Sequence, residues 1–117
     1  MKIISGNITI EEIRNMAKAM FGNLVKVVVD IEKEIIAIDG ELHSDEEVML
    51  LENGSNQDNL WGINIYPDLQ VNERIEFDSM INLRPRLGNM TRSVDSPEIR
   101  EKITRIINIL IRDEYTA

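Results

Sequence analysis

Apolar residues fall at two different spacings along this chain, and the switches between them mark out helices and strands. Ile10, Ile13, Met16/Ala17 and Met20 recur every three to four positions, which gathers them on one face of a helix. Thr9 and Glu12 stand in front of that run as a capping box, with Ile8 and Ile13 at the staple positions and Gly22 as the stop. A second helix is predicted from Ser44, where Glu47 completes another box, through 48–51 to Asn53-Gly54. The third begins at Ser96 with Pro97 in its first turn and carries the stripe Ile99, Ile103, Ile106 and Leu110. Ile107, Ile109 and Ile111 widen that stripe beyond one packing surface, so this helix is either sandwiched or meets another subunit.

The remaining periodicity is that of strands. Positions 24–30 are β-branched and apolar on nearly both faces, as in an interior strand, and 34–41 follow as the hairpin partner. Ile31-Glu32-Lys33 between them has no Asn-Gly or Asp-Gly signal, so the turn type is not specified. Segments 61–67 and 75–85 alternate. Trp61, Ile63, Ile65, Ile75, Phe77, Ile81 and Leu83 take one face. Asn64, Tyr66, Glu76, Asp78, Asn82 and Arg84 take the other, leading into a loop with Arg86, Gly88, Asn89 and Arg92. The order α-β-β-α-β-β-α predicts an α+β fold, a two-layer sandwich with three helices on a four-stranded, mainly antiparallel sheet. How the two hairpins join is left open.

Composition narrows the function classes. A chain of 117 residues is read as one domain, 1–117, large enough for a core without staples. It has no cysteine, which removes disulfides, thiolate nucleophiles and zinc–thiolate clusters. No signal-peptide run and no membrane-spanning stretch is visible, so a cytoplasmic protein is expected. The formal charge of −8 argues against nucleic acid as a partner. Between Lys33 and Arg74 there is no Lys or Arg, while ten carboxylates contribute −10, which leaves +2 for the rest. The ordinary meaning of such an acidic middle is solubility, and an anionic ligand can still be met locally in the basic part.

Candidate chemistry concentrates on the polar strand face. Asp78 is disfavoured mid-strand by propensity and shares its side with Asn64, Tyr66, Asn82 and Arg84. It reads as a general base or ligand anchor beside an anion-holding arginine, or as half of an ion pair on a wet face. Arg84, Arg86, Asn89 and Arg92 lie on a loop without acids that leads to a helix start, a setting that suits an anion. The same arginines can instead neutralise the acidic middle. His43 is the sole histidine, and in an extended chain Glu41, His43 and Asp45 would share a face as metal ligands. Helix capping explains the same residues more simply, so no metal is predicted. Trp61, followed by Gly62, is read as a core anchor with a bulge or close packing beside it. Nucleophile elbow, P-loop and dinucleotide fingerprint are all missing, and no cofactor is implied.

The run Gly40-Glu41-Leu42-His43-Ser44-Asp45-Glu46-Glu47, then Leu50-Leu51-Glu52-Asn53-Gly54-Ser55, resembles a family of small prokaryotic proteins known only as a domain of unknown function. Trp61 to Pro67, Phe77 to Pro85 and Gly88-Asn89 carry the same likeness. The resemblance implies a stand-alone, single-domain prokaryotic protein and transfers no activity, cofactor or catalytic residue. The reading that results is a binding or interaction module, with a homodimer through the last helix as expected partner. The alternative is an enzyme or binding protein for a phosphate- or carboxylate-bearing small molecule at the Asp78/Asn82/Arg84 face.

Overall fold

Strand β3 (Val25–Asp30) is the spine of the molecule, as its run of branched apolar side chains requires. In the computed structural model, which describes residues 1–113, it is flanked on both sides by antiparallel neighbours. On one side lie β4 (Ile35–Ile38) and then β1 (Lys2–Ile4). On the other lie β5 (Leu60–Ile65) and then β6 (Ile75–Glu76), giving the order β1-β4-β3-β5-β6. The two predicted hairpins therefore join through β3 and β5, with Val28 opposite Gly62. The last four residues of the expected 1–117 domain lie outside the described residues.

The fold is α+β with three helices, as expected, but the four strands become five. Two further short strands, β2 (Ile8–Thr9) and β7 (Ile111–Arg112), pair in parallel apart from the main sheet. Three- and two-residue strands are too short to show a period in sequence. The layering also differs from the expected two. Helices α1 (Ile10–Ala19) and α3 (Pro97–Leu110) pack on the face that carries Val25, Val27, Val29, Trp61, Ile63 and Ile65. Helix α2 (His43–Glu52) lies on the opposite face, where Leu50 meets Val28, Ala37 and Leu60. The sheet is thus covered by helices on both faces.

Local signals explain most boundaries. The α1 capping box forms in full, with Glu12 N donating to Thr9 Oγ1 at 3.1 Å and Thr9 N to Glu12 Oε2 at 2.9 Å. Gly22, at φ 94°, takes the left-handed conformation after α1 and donates its amide to Ala17 O. At α3, Ser96 caps Ile99 N and Pro97 opens the helix. The β3–β4 turn, unspecified in sequence, is built by Asp30. Its Oδ1 accepts the amides of Glu32 and Lys33 at 2.9 Å each, its Oδ2 accepts the Ser55 hydroxyl, and Glu34 takes φ 57°.

Two expectations fail. The Ser44/Glu47 capping box does not form: α2 starts one residue earlier, Leu42 is its cap residue, and no side chain caps it. Glu47 instead faces Arg84, and Val48 is exposed. The long strand 75–85 shortens to β6, and the chain then turns through short 3-10 segments at Met80–Asn82 and Pro85–Leu87. Ile81 consequently packs with the α2-side cluster, opposite to Phe77, and Leu83 is exposed. Among the described residues no helix is long and apolar enough to cross a membrane.

Candidate functional site

Once β6 ends, the outer edge of β5 still needs partners, because buried backbone amides and carbonyls without them are costly. Asn82 supplies them. Its Oδ1 accepts Gly62 N at 2.8 Å and its Nδ2 donates to Gly62 O at 2.9 Å, so one carboxamide takes the place of a strand residue. The same Nδ2 reaches Arg92 O at 3.0 Å. Arg84 Nη2 covers the next carbonyl, Leu60 O, at 2.6 Å, meets Glu47 Oε2 at 3.3 Å, and its guanidinium lies 5.2 Å from the Trp61 ring centroid. Gly62 is needed for close approach, since a Cβ there would stand 2.6 Å from the Ser79 side chain.

Asn89 organises the loop behind this seam. Its Nδ2 donates to the carbonyls of Asn82, Thr91 and Ser93, and its Oδ1 accepts Asp95 N at 2.7 Å. Asn64, also buried, donates to Glu76 Oε1 and to Asp78 O, and the Tyr66 hydroxyl donates to the same Glu76 oxygen at 3.0 Å. Burial and the Glu76 charge raise the Tyr66 pKa. All three loop arginines meet carboxylates: Arg84 with Glu47, Arg86 with Asp58, and Arg92 with Asp78 at 2.8 Å. Two of those three acids belong to the acidic middle. The polar face singled out in sequence is therefore brought together, largely as an internal hydrogen-bonded seam along β5.

A small pocket of about 160 Å³ opens beside that seam, lined by Lys26, Leu42, His43, Ser44, Ser79, Met80, Ile81 and Arg92. His43 is 8 % exposed, and its Nε2 lies 2.7 Å from Ile63 O. A carbonyl can only accept, so Nε2 carries the proton and Nδ1 is left as an acceptor without a partner among the described residues. Burial holds the His43 pKa below the ordinary imidazole value, opposed by the Ile63 carbonyl and reinforced by Lys26. Arg92 uses only Nε on Asp78, and Lys26, whose Nζ lies 5.3 Å from the Phe21 ring centroid, forms no ion pair among the described residues. Both basic side chains and the start of α2, whose amides no side chain caps among the described residues, line this opening.

Of these residues, Arg92 and His43 were visible in sequence, the latter for a different role. Lys26 had a signal too, as the one cation in a largely apolar strand, whereas Ser44 and Ser79 had none. The metal constellation does not assemble: Glu41 and Asp45 line a separate cleft from the one His43 lines. Among the described residues no three His, Cys, Asp or Glu side chains cluster as ligands. The broad isoleucine face of α3 is mostly used inside. Ile107 and Ile111 are buried, and Ile109 remains 58 % exposed beside a shallow cleft with Phe77.

One buried acid was missed. Glu46, in the first turn of α2, is 0 % exposed, with Oε2 accepting Gly40 N at 2.9 Å and Oε1 unpartnered among the described residues. Burial pushes its pKa up to about 9, against the pull of the Gly40 amide and Lys26, so it is protonated at neutral pH.

No curated protein and no solved structure matches this chain. A family model does, over residues 2–110, which takes in every element from β1 to the end of α3. The chain belongs to the family described as "Protein of unknown function (DUF5674)".

Proposed function

We propose that this protein is a binding module whose ligand is a small oxyanion, phosphate- or carboxylate-bearing, held in the pocket between the start of α2 and the 79–92 loop. The observation that carries this reading is the convergence of Lys26, the free end of Arg92, His43 and Ser79 on one opening of about 160 Å³. Two cations against the single carboxylate of Asp78 leave a local positive excess in a protein of net charge −8. The serine hydroxyls and the α2 amides add neutral donors suited to oxyanion oxygens. The site sits at the edge of the polar face first marked by Asp78, Asn82 and Arg84, with Arg92 common to both.

Thermal unfolding with inorganic phosphate and with a dicarboxylate series tests it. Saturating ligand is expected to raise Tm by about 5 °C. Lys26→Met and Arg92→Ala should abolish that rise, while Arg86→Ala, on the far side of the loop, should keep it. No shift with any anion, or equal shifts in all three variants, refutes the reading.

A further inference from the structure

The oxyanion pocket leaves the acidic middle of the chain unexplained. Part of that charge rims a second, larger cleft of about 710 Å³ at the end of the sheet where β4 leaves and β1 begins. Its apolar lining is Met1, Met20, Val48 and Met49, of which Met1, Met20 and Val48 are 49 %, 42 % and 51 % exposed. Its rim carries Asp39, Glu41, Asp45 and Glu52, and no lysine or arginine lines it. Asp39 lies 4.0 Å from the chain's own terminal amine; the other three carboxylates form no ion pair among the described residues.

The exposed side of α2 explains why the cleft exists. Leu50 and Glu46 face the sheet, yet Val48 and Leu51 are also outside, so this helix is apolar on both sides. Asp45, Val48 or Met49, and Glu52 follow one another at helical spacing along the cleft wall. Below it, Glu46 holds the Gly40 amide and fixes the wall opposite; a Cβ at Gly40 would stand 2.8 Å from Glu46 Cγ and 3.1 Å from Met1 Sδ. The floor is thus rigid on one side and lined by flexible thioethers on the other. Methionines adapt to varied apolar side chains, and a carboxylate rim selects for cations.

We propose that this cleft docks a basic amphipathic helix of a partner protein, its apolar face on the three methionines and Val48 and its lysines or arginines against Glu41, Asp45 and Glu52. The rim sets the partner's charge and the floor its amphipathic pattern, the combination used when a helix lies in a groove. An anionic surface or an acidic peptide is repelled by the same carboxylates.

Fluorescence anisotropy with a labelled synthetic helix of leucine and lysine, about 18 residues long with leucines on one face, tests the proposal. It should bind the wild type and bind about ten-fold more weakly to the Glu41→Lys/Asp45→Lys/Glu52→Lys variant and, separately, to Val48→Asp. All four positions are exposed, so the variants should fold, which thermal unfolding verifies. Glu98→Lys/Glu101→Lys, similar charge reversals on the exposed side of α3, should leave binding within about two-fold. Equal binding of a leucine–glutamate helix overturns the proposal, as does equal weakening by the α3 variant. A wild-type dimer in light scattering that Val48→Asp splits also overturns it, because a second copy then fills the cleft.

Discussion

Replacing Glu46 with Gln separates the electrostatic cost of this buried acid from its structural use. Folding raises its pKa from 4.5 to about 9, so between those values the folded protein holds a proton that the unfolded chain has released. Stability then falls as pH rises, by about 1.4 kcal/mol per pH unit across that window. At pH 7 the cost is about 3 kcal/mol, a large share of a typical domain's total of about 5–15 kcal/mol. The amide of Gln keeps an acceptor for Gly40 N and removes the titration. Urea unfolding of both proteins at several pH values is the assay. The stability difference, variant minus wild type, should grow by about 4 kcal/mol from about pH 5 to pH 8. Parallel curves would refute a buried, protonated Glu46. A difference that shrinks with rising pH would mean the carboxylate is ionised and stabilised, with Lys26 as its partner.

Asn82→Ala should cost about 3 kcal/mol in urea unfolding, because it strands both the amide and the carbonyl of Gly62 in a buried setting. Gly62→Ala should destabilise by about 2 kcal/mol, the cost of pushing Ser79 away from β5, and Gly62→Ala/Ser79→Gly should recover most of it. Arg84→Lys should melt below wild type, since one ammonium cannot reach Leu60 O and Glu47 while also lying over the Trp61 ring; a melting curve equal to wild type would contradict the role given to Arg84. Affinity for sulfate, an oxyanion that does not itself titrate in this range, should strengthen as pH falls below about 6.5, because a bound anion favours protonation of His43, and His43→Gln should flatten that dependence in calorimetric titrations.

The helices are legible in the sequence because their signals are local. Thr9 with Glu12, Ser96 with Pro97, and the glycine stops act within a few residues of themselves. What depends on which surface covers which is not written locally. Helix α2 is apolar on both sides, so nothing in its pattern says that Leu50 and Glu46 are inside and Val48 outside. That ambiguity propagates. With α2 assigned to no face, Asn64, Asn82 and Arg84 read as the wet side of a sheet, whereas they line a seam closed by α2 and the 79–82 turn. The alternation over 75–85 is also genuine but not a strand throughout; Ser79 breaks it by packing onto Gly62. Asn82 and Arg84 were legible as a cluster, and only the fold shows their hydrogen bonds closing on β5 backbone.

The carboxamide patch on β5 has a consequence for solubility. Leu60–Ile65 is six residues without a charge, wholly buried and rich in β-branched and aromatic side chains, the composition of a segment that pairs with copies of itself. Over half its length, what keeps its outer edge from recruiting another chain is a pair of side chains on a loop. Local opening of 78–95 would unpair Gly62 and Leu60 while the rest of the sheet remained intact. Fibre formation would then follow the opening of this loop, well before global unfolding.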